Sequence, residues 1–393
     1  MINQYLRKIF ATKQAKTNKS YDVINLSDQN FLEGLNKSNV NPYQTNVIVY
    51  RCVSLIAQSA SHVPITVKKN TLYNNDIAQA NNHSVYQLLK NPNPDISGMD
   101  FLSEIISHVL LFGNAYILAS GYKGQSPREL HLLHPNSTSL VLKNNTVIGY
   151  KYNTINGEKL FRSNPVDRHS NVLHLKNYHP TNKHYGLSYL DPASLSINSH
   201  NKASVWNNAL FQNGARPTGA LIVDDPAGYL TDEQFQRLKD QLYDKFSGSS
   251  NAGKILLLDN RFKWQEMSIN PKDMDFIESK NTAAREIALA FGVPPQLLGI
   301  NGDNTYSNMQ EARLALWEET IIPLLERIAH SLSNWMSQLY QESLMIDFDL
   351  NSVSALTEKR KNLWERISAA EFMTTNEKRA LIGLEPIEDG NKL

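Results

Sequence analysis

The sequence predicts an α+β protein, in which a block of mixed helices and strands is followed by long helices that carry few apolar residues. Three observations predict it. Residues 47–179 alternate between helical and strand-like patterns, residues 191–212 and 273–291 have helical periodicity with thin apolar stripes, and a helix of about 35 residues begins at Ser307. The length of 393 residues, 41% of them hydrophobic, suffices for two or three structural regions with a sizeable core.

The charge balance argues against a dedicated duplex-binding protein. Lys and Arg number 39 and Asp and Glu 38, so the formal net charge is +1, whereas such proteins usually carry a strongly basic face. Cys52 is the single cysteine, which excludes an intrachain disulfide and a multi-cysteine zinc site. We expect Cys52 to be a small buried hydrophobe. Since no segment approaches ~18 uninterrupted apolar residues, no membrane span is predicted.

Residues 1–46 are predicted to be a basic N-terminal arm and lead-in. The first 21 residues contain five basic side chains and no acid, with apolar residues too scattered for a secretory signal. Their composition also fits an organelle transit peptide, but a mobile arm is the preferred interpretation. The basic residues are Arg7, Lys8, Lys13, Lys16 and Lys19.

The mixed block is predicted to begin with a helix at Val47–Ala60 and a short strand at Ile65–Val67. Another helix begins near Ser84, and a third has Phe101, Ile105, Val109 and Phe112 on one face, with Ser97 or Asp100 as its N-cap. Turn residues then separate strand-like pieces. These pieces are Ala115–Ala119, Glu129–Leu133, Ser139–Leu142, Val147–Tyr152 and Val172–Leu175.

The next helix begins at Asp191-Pro192, a favourable N-cap and first position, and extends to Gln212. Its apolar stripe consists of Leu195, Ala203, Trp206 and Leu210. Because so thin a stripe cannot hold a long helix on its own domain alone, we expect neighbouring helices to cover it.

Residues 215–271 form an insert with strands at Gly219–Val223 and Lys254–Leu258 and a helix at Thr231–Phe246 between them. A second thin helix, Asp273–Phe291, includes Ile277, Ile287 and Phe291 and ends at Gly292 before Pro294-Pro295.

A loop rich in Gly and Asn follows, and the long helix begins at Ser307 with Gln310 three residues on. Apolar residues from Trp317 to Leu339 recur in it at spacings of three and four, and Pro323 should kink it. A strand at Leu344–Leu350 and one or two helices complete the chain.

Motifs that could carry chemistry mostly fail. Residues 248–254 nearly spell a phosphate-binding loop, but Ile255 replaces the hydroxyl residue that holds Mg²⁺, and a helix precedes and a strand follows it. Six histidines lack cysteine support and ligand spacing. Asp347 and Asp349 share one face of a predicted strand, and this face is interpreted as the solvent-exposed face of an edge strand. We therefore predict no enzyme, cofactor or metal site. The histidines are His131, His134, His169, His174, His179 and His184.

Eight stretches together resemble the portal (head-tail connector) proteins of tailed bacteriophages, in the branch of small portals found in long-tailed phages and gene-transfer-agent particles. The most specific pair is Phe291-Gly-Val-Pro-Pro-Gln-Leu-Leu-Gly299 followed by Asn304-Thr-Tyr-Ser-Asn308. The other stretches occupy residues 49–59, 111–117, 172–176, 185–190, 211–217 and 376–384, in the order that the family has.

The resemblance implies a ring, usually of twelve subunits. Residues 47–190 would be its wing and residues 191–214 and 272–292 its two stem helices, packed on neighbouring copies through Leu195, Trp206, Leu210, Ile277, Ile287 and Phe291. Residues 215–271 would be the clip and 293–306 the tunnel loop. The long kinked helix, 307–343, would return to the wing, and residues 344–393 would form the C-terminal wing and short crown.

The implied function is a channel for DNA packaging and ejection at one capsid vertex of a phage, prophage or gene transfer agent, assembled in the host cytoplasm. The implied partners are double-stranded DNA, the large terminase, the head-tail adaptor and the major capsid protein. No Lys or Arg lies between Glu286 and Ala312, so neutral side chains would meet sliding DNA weakly. These tunnel-loop residues are Asn301, Asp303, Asn304, Thr305, Tyr306, Ser307 and Asn308.

Three alternatives remain open from the sequence. A packaging ATPase or other nucleotide enzyme would use residues 248–254. A capsid or tail subunit would differ from a portal in copy number and location. Finally, the segment 301–308 could be a surface loop without any contact to DNA.

Overall fold

The computed structural model describes residues 22–25, 41–70, 77–79, 83–122, 125–164, 169–212, 219–223, most of 231–240, 262–266, 276–300 and 306–392 apart from 383 and 385. In these residues the fold is a mixture of helices and antiparallel sheets, which confirms the predicted α+β class. One large apolar core joins residues 47–190, which keep the name wing that the resemblance gave them, to the long C-terminal helix.

The first long helix forms where its pattern predicts it. After the short helix α1 (Pro42–Thr45), helix α2 (Val47–Ser61) begins at the N-cap Asn46, whose Oδ1 accepts hydrogen bonds from the amides of Ile48 (3.0 Å) and Val49 (3.1 Å). Its buried face includes Cys52, as expected, and burial raises the pKa of the Cys52 thiol to about 12. This thiol is therefore unreactive at neutral pH.

Two further helices precede the main strands, α3 (Ser84–Lys90) and α4 (Gly98–Phe112). Of the two candidate caps of α4, Ser97 is the one used, and its hydroxyl accepts from the Asp100 amide at 3.2 Å. Helix α4 ends at Gly113, which has φ +68°. A Cβ there would lie 2.5 Å from the Leu187 backbone, so this crossing of two chain segments requires glycine.

The wing strands form three antiparallel sheets. The strands are β1 (Asp22–Asn25), β2 (Ile65–Asn70), β3 (Ile77–Gln79), β4 (Asn114–Ser120), β5 (Glu129–Leu133), β6 (Thr138–Lys143), β7 (Thr146–Thr154), β8 (Gly157–Arg162), β9 (Val172–Lys176) and β12 (Leu344–Phe348). The strand orders in the three sheets are β1-β6-β7-β8, β12-β2-β3 and β5-β4-β9.

Three of these strands were not predicted. Strand β1 lies within the predicted arm and lead-in, after the basic residues, and pairs antiparallel with β6 from Asp22 opposite Leu142 to Asn25 opposite Ser139. Strands β3 and β8 were also missed. All three are short or polar edge strands, and such strands lack the period-two apolar pattern that predicts buried strands.

The two predicted helices with thin apolar stripes are both present, as α5 (Leu190–Gln212) and α6 (Phe276–Ala290). Between them, strand β10 (Gly219–Val223) pairs with β11 (Phe262–Glu266), and the described residues among 232–240 are helical. The predicted strand Lys254–Leu258 and the near-phosphate loop at 248–254 lie outside the described residues.

The long C-terminal helix has an irregularity beside Pro323. The long helix consists of α7 (Tyr306–Ala315), a π-helical turn (Leu316–Ile321) and α8 (Ile322–Tyr340). Pro323 has no N–H for the carbonyl of Glu319, and its ring would collide with that oxygen in a regular α-helix. A wider π turn avoids the collision, which is the physical form of the disturbance expected there.

The C-terminal region begins with β12, an edge strand as predicted, but it ends at Phe348 rather than Leu350. The carboxylate of Asp349 accepts from the Asn351 amide at 3.0 Å and starts a 3₁₀ turn, which ends the strand. Helices α9 (Thr357–Ser368) and α10 (Thr375–Leu381) follow, and a capping box between Thr374 and Glu377 starts α10.

Candidate inter-subunit surface

Helix α5 is anchored to the wing along its first half only. Ala193, Ile197 and His200 are buried at helical spacing on one face. From Asn201 to Ala209 no residue is buried among those that the structure describes. The second half of α5 therefore extends away from the core of its own chain.

The opposite face of α5 exposes apolar side chains. Leu195 is 77% exposed, and Trp206, eleven residues or three turns later, lies on the same face and is 37% exposed. Lys202 lies between them. A large exposed Leu and Trp aligned on one helix face are typical of a surface that another protein covers.

Helix α6 buries one face and exposes the other. Ala284, Ile287 and Ala288 are buried, and Phe291, just after the helix, is fully buried and stacks on Tyr189 with ring centroids 5.8 Å apart. Ile277 and Leu289 are 77% and 79% exposed.

This division corrects part of the predicted stem packing. Ile287 and Phe291 belong to the core of their own chain, because they lie at the end of α6 that rests on the wing. Leu195, Trp206 and Ile277 are exposed and remain candidates for contact with another copy. The side chain of Leu210 lies outside the described residues.

Helices α5 and α6 pack on each other within one chain. The hydroxyl of Ser196 donates a hydrogen bond to Glu286 Oε2 at 2.6 Å, and the buried Ala283 and Ala284 lie on the inner side of α6. Small residues let two helices approach closely. The pair is thus a unit within one chain, and its outer faces expose Leu195 and Ile277.

Asn46 joins this helix pair to the wing. The residue is 2% exposed, and while its Oδ1 caps α2, its Nδ2 donates to Asn201 Oδ1 at 2.8 Å and lies 3.2 Å from His200 Nδ1. Burial, and then the charge of Lys280, lower the pKa of His200, so the ring is neutral and can accept this bond. One amide thereby fixes the start of α2 and the middle of α5 together.

We expect Asn46→Ala to lower the free energy of unfolding by about 2–4 kcal/mol. The loss of a helix cap costs about 1 kcal/mol, and a buried polar group left without its partner costs about 1–3 kcal/mol more. Urea unfolding monitored by circular dichroism measures it. Asn41→Ala is the matched control, because Asn41 caps only the short α1 through the Tyr43 amide. Equal losses in the two variants would show that Asn46 acts as a simple cap.

The proposed tunnel-loop residues fall at the edge of the described chain. Asn301, Asp303, Asn304 and Thr305 lie outside it. Tyr306, Ser307 and Asn308 form the first turn of α7, which corrects their assignment to a loop, since the helix begins one residue before the predicted start. On the other side, Gly292 (φ +67°) ends α6, and a 3₁₀ turn, Pro295–Leu298, ends at Gly299 (φ +71°).

The histidines considered as metal ligands have partners within the protein. His174 stacks on Tyr116 at 4.3 Å and lies 3.0 Å from Asn114 Oδ1, and burial lowers its pKa to about 3. His184 contacts Asn145 Oδ1 at 2.7 Å and His131 contacts Glu129 at 2.9 Å. Among the described residues, no three His, Cys, Asp or Glu side chains are grouped to hold a metal ion.

Within the described ranges, no helix is both long and apolar enough to cross a bilayer. The fold is a mixture of helices and antiparallel sheets with a helix pair that exposes large apolar side chains on its outer faces. Residues 47–383 match the family described as phage portal protein. The chain belongs to the phage portal protein family.

The chain is also similar to individual proteins and to solved structures. A protein of Rickettsia bellii is 57% identical over the full length of both chains. The probable portal protein of Streptomyces phage phiC31 is 26% identical over 76% of this chain and 67% of its own. Among solved structures, a chain from the neck of a native gene transfer agent particle, computed with C12 symmetry, is 37% identical with a TM-score of 0.68, covering 88% of this chain and 92% of that one.

Proposed function

We propose that the protein is a portal subunit that forms a ring, most simply of twelve copies, at one vertex of a capsid. The observation that carries this proposal is the outer face of α5, where Leu195 and Trp206 are exposed on a helix that leaves its own core. Contacts between different patches of identical subunits, repeated by a rotation that closes, produce a ring. The similarity to a chain in a C12-symmetric particle neck supports the number.

In this ring, residues 47–190 form the wing, residues 191–214 and 272–292 the stem, residues 215–271 the clip, and residues 307–343 and 344–393 the kinked wing helix and the crown. The clip binds the large terminase during packaging and the head-tail adaptor afterwards, and the outer wing meets the major capsid protein. Assembly takes place in the host cytoplasm, and the finished ring belongs to the virion of a phage, a prophage or a gene transfer agent. The ring is a conduit, and the partner motor supplies the energy.

Double-stranded DNA passes through the channel without sequence recognition. The segment 293–306 would face it as the tunnel loop, and no Lys or Arg occurs from residue 287 to residue 312. Each phosphate that a basic side chain neutralises adds affinity and salt dependence, which would hold back a moving duplex. A loop of amides and hydroxyls contacts the DNA backbone without this added affinity.

We expect Asn301→Lys with Asn304→Lys to slow DNA packaging and release severalfold at low salt and to retain DNA in the ring. Two added positive charges per subunit would engage phosphates, and the effect should diminish as salt is raised. Packaging rate and DNA retention at two salt concentrations measure it. Asn301→Gln with Asn304→Gln keeps the loop neutral and should behave as the wild type. Unchanged packaging in the Lys variant would exclude contact between this loop and DNA.

Electron microscopy of the purified protein, with mass determination, tests the ring directly. Annular particles with a central channel and about twelve subunits are expected. A monomer that stays monomeric at high concentration, or a shell of hundreds of copies, would contradict the portal assignment and favour another virion protein.

A further inference from the structure

A groove with apolar and cationic walls lies on the wing beside the start of the long helix. It has a volume of about 610 Å³ and runs between α2, the turn at Pro295–Leu298, the α7 end of the long helix and residues 352–355. Leu55, Leu297 and Trp317 form its apolar wall. It is large enough to admit several side chains of another segment.

Two arginines line this groove without an acidic partner. Arg51 of α2 and Arg313 of α7 are both exposed, and the residues that line the groove include no Asp or Glu. In the part of the chain that the structure describes, neither guanidinium takes part in an ion pair. Apolar walls flanked by unpaired guanidinium groups fit a segment in which carboxylates alternate with apolar side chains.

The chain has such a segment near its C terminus. Residues 384–389 read Leu-Glu-Pro-Ile-Glu-Asp, with three carboxylates among three apolar residues. Leu384 and Ile387 are 48% and 46% exposed although they are large and apolar, and Glu388 and Asp389 are exposed beside them. In the described chain, Asp389 has an exposed contact with Lys392 at 2.9 Å. Such an exposed pair contributes little and can exchange partners.

A network around Asn376 holds this segment in shape. Asn376 Oδ1 accepts from the Ile387 amide at 2.8 Å, and Asn376 Nδ2 donates to the Ile387 carbonyl at 3.1 Å and to Asn391 Oδ1 at 2.8 Å. Gly390 is buried against the same side chain. Because these bonds hold the backbone of residues 387–391 before docking, this part of the segment would lose little conformational entropy on binding.

Helix α9 separates the segment from the groove of its own chain. Arg360, in the first turn of α9, donates to the Val353 carbonyl at 3.1 Å on the rim of the groove. At the other end of α9, Lys378 of α10 reaches the Ser368 carbonyl at 3.5 Å. The twelve residues of α9 span about 18 Å. The groove and segment 384–389 of the same chain therefore lie near opposite ends of this helix.

We infer that the groove lined by Arg51, Arg313, Leu55 and Trp317 receives segment 384–389 of the adjacent copy, so that the C-terminal regions form a second belt of subunit contacts besides the stem. This inference rests on the proposed ring. Carboxylates of the segment pair with the two guanidinium groups, and Leu384 and Ile387 cover the apolar wall.

Thiol cross-linking between two single-cysteine variants tests the contact. Ser354→Cys, on the exposed rim of the groove, is mixed with Ile387→Cys carrying a different tag, the rings are reassembled, and a short bismaleimide is added. We expect a covalent dimer that contains both tags. Native Cys52 does not interfere, because it is fully buried. Ser354→Cys with Ile155→Cys is the control, since Ile155 is fully exposed at the β7–β8 turn, and it should give no dimer.

A charge exchange tests the chemistry. Arg313→Glu should raise the concentration needed for half-assembly about tenfold, and Arg313→Glu with Glu388→Arg should restore most of it. Rings that image normally but give no mixed dimer would overturn the inference and leave the portal assignment intact. Arg313→Glu rings that assemble normally and lose bound DNA would overturn it in favour of phosphate contacts. Absence of rings from the unmodified protein would remove the proposed function, and with it this inference.

Discussion

Phe291→Ala is expected to destabilise the isolated subunit by about 3–5 kcal/mol. The ring is fully buried where α6 meets the wing and stacks on Tyr189, so its removal leaves a cavity in the main core as well as losing the transfer free energy of the side chain. Urea unfolding at a protein concentration too low for assembly measures the loss.

Leu289→Ala is the matched control for this experiment. Leu289 lies two residues earlier, in the last turn of α6, but is 79% exposed, so its truncation should change the free energy of unfolding by less than about 0.5 kcal/mol. If the two variants unfold alike and Phe291→Ala instead fails to form rings, Phe291 packs between subunits, as its position in the sequence first indicated.

Leu195→Asp is expected to abolish ring formation while leaving the subunit folded. Leu195 is 77% exposed, so the single chain should lose less than about 0.5 kcal/mol. In a ring, every interface would bury an unpaired carboxylate, which costs several kcal/mol each time. Size-exclusion chromatography with light scattering, together with circular dichroism, separates the two effects.

Ile155→Asp controls for the added charge. Ile155 is fully exposed at the tip of the β7–β8 hairpin, outside the helix pair, and the variant should assemble as the wild type. Rings of normal mass from Leu195→Asp would show that the outer face of α5 does not meet another subunit, and the stem assignment would then fail.

Local patterns in the sequence predicted most of the helices. The recurrence of apolar residues at spacings of three and four predicted α2, α4 and the long C-terminal helix to within a few residues, because buried faces impose helical spacing on the sequence. Ser97, one of two candidate caps, begins α4, and Gly292 ends α6, through cap geometry that three or four neighbouring residues define. The ordered set of portal-like stretches indicated the family, and the match of residues 47–383 to the phage portal protein family confirms it.

Pairings between distant segments could not be predicted in the same way. Strand β1 joins β6 across more than a hundred residues, and Asn46 meets His200 across 154 positions. Neither contact produces a periodic pattern in the sequence, because one short polar segment or one amide is enough to make it. The candidate groove was missed for the same reason, since Arg51 and Arg313 are brought together by helix packing alone.

The sequence by itself determined which residues of the two thin helices are apolar and that they are too few for an independent core. Only the tertiary structure decided which of them the chain covers itself. Periodicity shows that a helix has an apolar face but does not show what lies against it. Ile287 and Phe291 are covered because α6 ends on the wing, whereas Leu195 and Ile277 lie where the described part of the chain packs little against them.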